Sequence, residues 1–195
     1  MSTKHILDNL STHLKNVIAQ SIAFAAKKDT MAVTPVDLLY CIATQKGSVG
    51  AEILAKTQIP AKTIKTYIDA HIKKTRKRAT QKTGEPMSHV PELTHAAKKA
   101  LEKAMIIAYE YEHTYIGTEH LLHGLLEIED PDILAICKTA KIEVDLVYEQ
   151  ISIILSSTSK FPDIDEITDM LDAVEPRTQR PPVQTQKKDK KTKRK

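Results

Sequence analysis

Three observations predict an all-α fold of eight helices, arranged as two pseudo-symmetric four-helix repeats with a disordered basic tail. The first is composition. There is no Trp, aromatic residues are 4%, and Ala, Ile, Leu, Lys and Glu dominate, which favours helices over sheets. The second is an internal repeat: with a single offset of 83 residues and no gap, residues 10–72 align on 93–155. Leu10/Leu93, Lys15/Lys98, Ala25/Ala108, Leu38/Leu121, Leu39/Leu122, Ile53/Ile136, Ile59/Ile142 and Ile68/Ile151 are identical. The third is register. Leu14, Val17, Ile18, Ser21, Ile22 and Ala25 fall on Ala97, Ala100, Leu101, Ala104, Met105 and Ala108, with the i, i+3, i+4, i+7 spacing of one helical face in both copies.

In the first repeat the spacing predicts helices at 11–28, 34–45, 48–57 and 60–75. Ser11 can cap the first. Thr34 can cap the second, with Pro35 at the first helical position, where its missing N–H costs nothing. Pro60 opens the fourth. In the second repeat the helices fall at 94–111, 117–128, 131–140 and 143–156, with Thr94 as a cap and Asp130 before Pro131. The stretch that organises the chain is Tyr115-Ile116-Gly117-Thr118-Glu119-His120-Leu121-Leu122-His123-Gly124-Leu125-Leu126. Gly117-Thr118 breaks the backbone, and Glu119 then stands in a first turn, where exposed N–H groups and the macrodipole favour negative charge. Leu121, Leu122, Leu125 and Leu126 make one apolar stripe of a short buried helix.

The domain therefore spans 5–156, with repeat one at 10–72 and repeat two at 93–155. Residues 76–92, with Gly84, Pro86 and Pro91, form the connecting loop. A short acidic helix is expected at 161–174 within a flexible segment, 157–195, whose Pro-, Gln- and Lys-rich end is expected to be disordered.

At 195 residues and 41% hydrophobic content, the chain can bury one good core or two small ones. No run of 18 apolar residues spans a membrane, and the amino terminus lacks the apolar core of a signal peptide. Two cysteines, Cys41 and Cys137, make no disulfide framework, which fits a reduced, cytoplasmic setting. The formal charge of +4 is misleading: residues 187–195 carry +6, leaving −2 for the rest.

Gly-Thr-Glu-His-Leu-Leu-His-Gly-Leu-Leu at 117–126 resembles the signature of the Clp amino-terminal repeat domain. Leu93-Thr94 followed by Ala97-Lys98-Lys99-Ala100-Leu101 resembles the opening of the repeat in ClpC-type proteins. The resemblance implies an eight-helix domain that sits on an AAA+ unfoldase ring and recruits protein substrates or adaptor proteins. It also implies that Glu119, with Thr118 beside it and Thr94 at the first helix, helps bind phosphorylated arginine. The first repeat departs from the pattern: Val36 stands at the Glu position, Asp37 at the His position and Ser11 at the Thr position. Ser11 and Asp37 are its weaker equivalents. Clp unfoldases follow this domain with a charged linker into an ATPase module, so the chain is expected to be either a stand-alone domain or the amino-terminal part of a ClpC-like subunit.

The residues themselves carry no phosphate loop and no Ser-His-Asp, Cys-His or H-E-x-x-H arrangement, so neither catalysis nor a cofactor is expected within this chain. His113, His120 and His123 invite a metal reading, but no carboxylate or thiol stands at supporting spacing. The cysteines lie in apolar helical patterns and read as core thiols. The competing function is a basic-tailed helical protein that binds nucleic acid through residues 187–195. Salt separates the two: tail-driven binding falls steeply as salt rises, whereas burial in an apolar groove does not.

Overall fold

The computed structural model describes residues 9–79 and 90–157. Among them are eight helices. The first repeat holds α1 (Thr12–Lys27), α2 (Pro35–Thr44), α3 (Val49–Lys56) and α4 (Ala61–Ala79). The second holds α5 (His95–Glu110), α6 (Thr118–Glu127), α7 (Pro131–Ala140) and α8 (Val144–Ser157). The acidic helix expected at 161–174, the tail beyond it and most of the connecting loop lie outside the described residues.

Local chemistry sets the helix starts. The Leu14 N–H donates to Ser11 Oγ at 3.1 Å and the Ala97 N–H to Thr94 Oγ1 at 3.2 Å, so one cap opens both α1 and α5. Asp130 Oδ1 accepts from the Asp132 and Ile133 amides ahead of Pro131. The fourth helix runs past its expected end at 75 to Ala79. Arg76, Lys77, Arg78 and Ala79 are strong helix formers, and the first breaker after them is Gly84.

Helices alone were expected, but the structure adds two short strands, β1 (Ala32–Val33) and β2 (Glu92–Leu93), paired in parallel with Val33 opposite Leu93. An isolated parallel bridge joins Leu10 to Ile116. The two pairings are mates under the offset of 83, which carries Leu10 to Leu93 and Val33 to Ile116. Each lies in the extended backbone just before a helix, where amide and carbonyl groups have no helical partner and satisfy one another across the repeats. Left-handed residues repeat as well: Asp29 and Glu112 have φ of 55° and 56°, Gln58 and Lys141 have 59° and 58°. The pseudo-twofold read from sequence is thus present in backbone conformation as well as in apolar pattern.

One core runs through both repeats. Leu14, Leu38, Ile53 and Ile64 of the first and Leu121, Leu122, Leu125, Ile136 and Ile151 of the second are fully buried in it. The motif helix α6 lies at its centre, in contact with α1, α2, α3, α5 and α8. Gly124 permits the closest approach: a Cβ there would sit 2.3 Å from the carbonyl oxygen of Ala100. The small-residue stripe Ala97, Ala100, Ala104, Ala108 on α5 and Gly124 on α6 are therefore two halves of one contact.

Candidate functional site

The start of α6 gathers the polar chemistry. Gly117 is the N-cap and has no side chain to cap with, so the Gly117 N–H instead donates to His120 Nδ1 at 2.9 Å. In the first repeat Asp37 does the same work: its Oδ2 accepts from the Thr34 N–H and from Thr34 Oγ1, both at 3.0 Å. His120 and Asp37 are repeat equivalents, so two different acceptors satisfy the same orphan amide. Lys28 Nζ donates to the other oxygen, Asp37 Oδ1. Asp37 is fully buried with both oxygens engaged. It is a structural cap, not an open carboxylate.

Glu119 is only 3% exposed. Its carboxylate folds back over the backbone of Gly117, where a Cβ would lie 2.0 Å from Oε1, so a side chain at 117 would displace the carboxylate. Oε1 lies 3.2 Å from His120 Nδ1, and Oε2 lies 3.5 Å from Thr118 Oγ1. Burial alone would raise the Glu119 pKa. Contact with the His120 imidazole, the residue's own backbone amide and the proximity of the His120 and His113 rings pull it the other way, and the net shift is downward. The carboxylate stays ionised at neutral pH. Thr118 Oγ1 also accepts the Gly50 N–H at 3.0 Å, which ties the start of α6 to α3 of the other repeat.

His113, in the loop between α5 and α6, joins this group. Its Nδ1 lies 2.7 Å from His120 Nε2, with the rings edge-on at 4.9 Å. Tyr115 stacks on His113 at 6.4 Å. His123 turns elsewhere: its ring packs on Tyr148 at 5.0 Å, and burial lowers its pKa. Among the described residues no three His, Cys, Asp or Glu side chains are gathered for a metal ion. Cys41 and Cys137 are both buried, and burial, with help from Asp37, pushes the Cys41 thiol up to about 12.

The expected pairing of Thr94 with Glu119 does not form. The short connection between α5 and α6 makes them antiparallel: Lys103 pairs with Glu127, Gly124 sits on Ala100, and His113 meets His120. Glu119 is therefore level with the end of α5 and Thr94 with its beginning, roughly 20 Å apart at 1.5 Å per residue. Beside the Glu119 motif stands Ser11, whose N–H donates to the Ile116 carbonyl at 3.0 Å. Thr94 makes the equivalent bond to Val33, also at 3.0 Å, beside the motif in which Val36 replaces the glutamate. Each helix start thus meets the other repeat's motif. Nothing in residue spacing gives that exchange; it appears only when the two repeats pair.

The family model of the Clp repeat (R) N-terminal domain matches residues 9–90 and 92–188. The uncharacterized protein Rv2667 of Mycobacterium tuberculosis is 33% identical over 116 residues, which is 60% of this chain and 41% of that protein. The chaperone protein ClpB of Rhodopirellula baltica is 24% identical over 124 residues, 64% of this chain and 13% of that protein. The chain thus spans well under half the length of these relatives. Among solved structures, the N-terminal domain of ClpD from Arabidopsis thaliana superposes with a TM-score of 0.64 at 14% identity, covering 80% of this chain and 100% of that one. The Hsp104 N-terminal domain from Candida albicans gives 0.60 at 19% identity, over 78% and 95%. These structural likenesses share the fold.

Proposed function

The chain belongs to the Clp repeat (R) N-terminal domain family, and from that premise we propose that it is a non-catalytic recruitment module, which holds protein substrates or an adaptor for an AAA+ unfoldase ring. The ring is either a separate partner or further sequence of the same polypeptide. The binding site is the seam between the start of α1 at Ser11 and the start of α6 at Thr118 and Glu119, and its ligand is phosphorylated arginine on a client protein. The observation that carries this is the bond from the Ser11 amide to the Ile116 carbonyl, which sets the start of α1 beside the motif that holds the Glu119 carboxylate. A phosphoarginine presents both halves of the complementary chemistry. Its guanidinium pairs with the Glu119 carboxylate in a planar fork, and its phosphate meets the free N–H groups and hydroxyl at the start of α1.

Glu119 lies folded over Gly117 with 3% exposure, so binding requires its side chain to swing outward, away from His120. His120 keeps the helix start intact during that movement, because the Gly117 amide is bonded to its imidazole and not to the glutamate. The pseudo-symmetric seam at Thr94 presents Val36 in place of the carboxylate and offers only the phosphate half. Isothermal titration of the full chain with a phosphoarginine peptide tests the proposal. Heat with a stoichiometry near one, lost in Glu119→Ala, is the expected result. Equal binding by that variant removes the seam as the site, and no binding by the wild type removes the ligand.

Nucleic-acid binding through the basic tail falls on residues outside those described.

A further inference from the structure

The two repeats differ sharply at one corner. In the first, α2, α3 and the start of α4 leave a cleft of about 420 Å3, lined by Ala43, Ala51, Ala55 and Ala61 around Leu54 and Ile59. That volume falls in the range of roughly 300–1,000 Å3 usual for ligand sites. The offset of 83 places Leu126, Leu134, Lys138 and Val144 at the four alanine positions. At those four positions the second repeat carries larger side chains, of which Leu126 is buried while Leu134 and Lys138 are exposed. Both corners share the backbone that shapes them, including the left-handed residue at Gln58 and at Lys141. The repeats thus differ at this corner in side-chain size and not in backbone.

Charge differs along with volume. Lys56 and Lys62 directly follow the lining residues Ala55 and Ala61, Lys46 follows Ala43 by three, and all three lysines are exposed; Glu52 is the one acid among them on α3. Their equivalents in the second repeat are Thr139, Asp145 and Glu129. The three lysines that rim the apolar cleft thus have no basic counterpart at the matching positions of the second repeat.

We propose that the first-repeat cleft is a second protein-docking site, separate from the Glu119 seam, and that it takes a large apolar side chain from a segment rich in Asp and Glu. The apolar side chain gains from leaving water in a site already shaped for it. The flanking carboxylates gain from the lysine rim, which sets orientation and on-rate more than affinity. The site's purpose rests on the reading of this chain as a recruitment module; its location does not.

The test is fluorescence anisotropy of a labelled Asp-Glu-Asp-Leu-Asp-Glu-Phe-Glu-Asp peptide titrated with the full chain. Saturable binding is expected, and it should weaken by about tenfold or more when Ala51→Leu and Ala55→Lys install the second repeat's own side chains. Lys56→Glu with Lys62→Glu should weaken it as well without touching the core. A peptide with Ser in place of Leu and Phe should bind less tightly than the parent. Absence of saturable binding to the wild type overturns the proposal. So does undiminished binding to the filled variant, which would place the acidic peptide on the basic tail that both variants retain. Phosphoarginine titration of the filled variant should be unchanged, so failure at the cleft and failure at the seam are read separately.

Discussion

The backbone amide of Ser11 donates to the carbonyl of Ile116 at 3.0 Å, and 83 residues along, the amide of Thr94 donates to Val33 at the same distance. Each N-cap residue thus spans the boundary between repeats while its side chain caps its own helix. Two four-helix units held in this way, over one shared core, are expected to unfold together. Leu39 and Leu122 are repeat equivalents on the motif helices, 2% and 0% exposed. Leu39→Ala and Leu122→Ala should each cost about 2–5 kcal/mol through the cavity left behind. Denaturant titration should show one transition in both variants, shifted to lower midpoint. Two separate transitions would mean independent repeats.

Gly124→Ala should destabilise more than its size suggests. The added methyl would sit 2.3 Å from the Ala100 carbonyl oxygen, so α5 and α6 must separate, at a cost of about 1–3 kcal/mol or more. Gly47→Ala is the control: its site is open but has φ of +72°, which costs roughly 1–2 kcal/mol of backbone strain alone. Thermal melts that place Gly124→Ala level with wild type would contradict the close packing.

Much of this fold was legible because its signals are local. Ser11, Thr34, Thr94 and Asp130 cap where their side chains say they should, and the 3.6-residue period fixed which faces are buried. The site was only half legible. A glutamate near a helix start is usually a solvated partner of the dipole, so sequence alone does not give the burial of Glu119. Thr94 and Glu119 share a repeat, but a tight helical hairpin puts them at opposite ends of α5. The pairing that does form joins residues about a hundred positions apart through backbone groups, which every residue possesses. His113 carried a weak signal, since it and His120 flank the short loop of that hairpin.

Stability should fall with acid in two separable stages. His123 is held below its ordinary value of 6.5 by burial, so the unfolded chain binds that proton first. Its contribution is complete above pH 6.5 and declines as pH falls through the lowered folded value. Glu119 is likewise depressed, from 4.5, so its contribution declines only below that point. His123→Leu should flatten the first slope and Glu119→Gln the second. Unfolding free energies measured from pH 8 to 3 that keep both slopes in the variants would contradict the assignment.

Cys41 and Cys137 should be inert in the native chain. Both are 2% exposed, and the Cys41 thiol is raised to about 12. At pH 8 an aromatic disulfide reagent should label them at the rate of unfolding, accelerated by Leu122→Ala. Rapid labelling of the native chain would show that the core opens locally.

The central claim, a single recruitment seam formed across the repeats, is tested most directly by amide chemical shifts during titration with a phosphoarginine peptide. Ser11–His13 and Gly117–His120 should shift together along one saturation curve, while Thr94–Ala97 move little. Perturbation confined to Thr94–Ala97, or spread evenly over both seams, would contradict it.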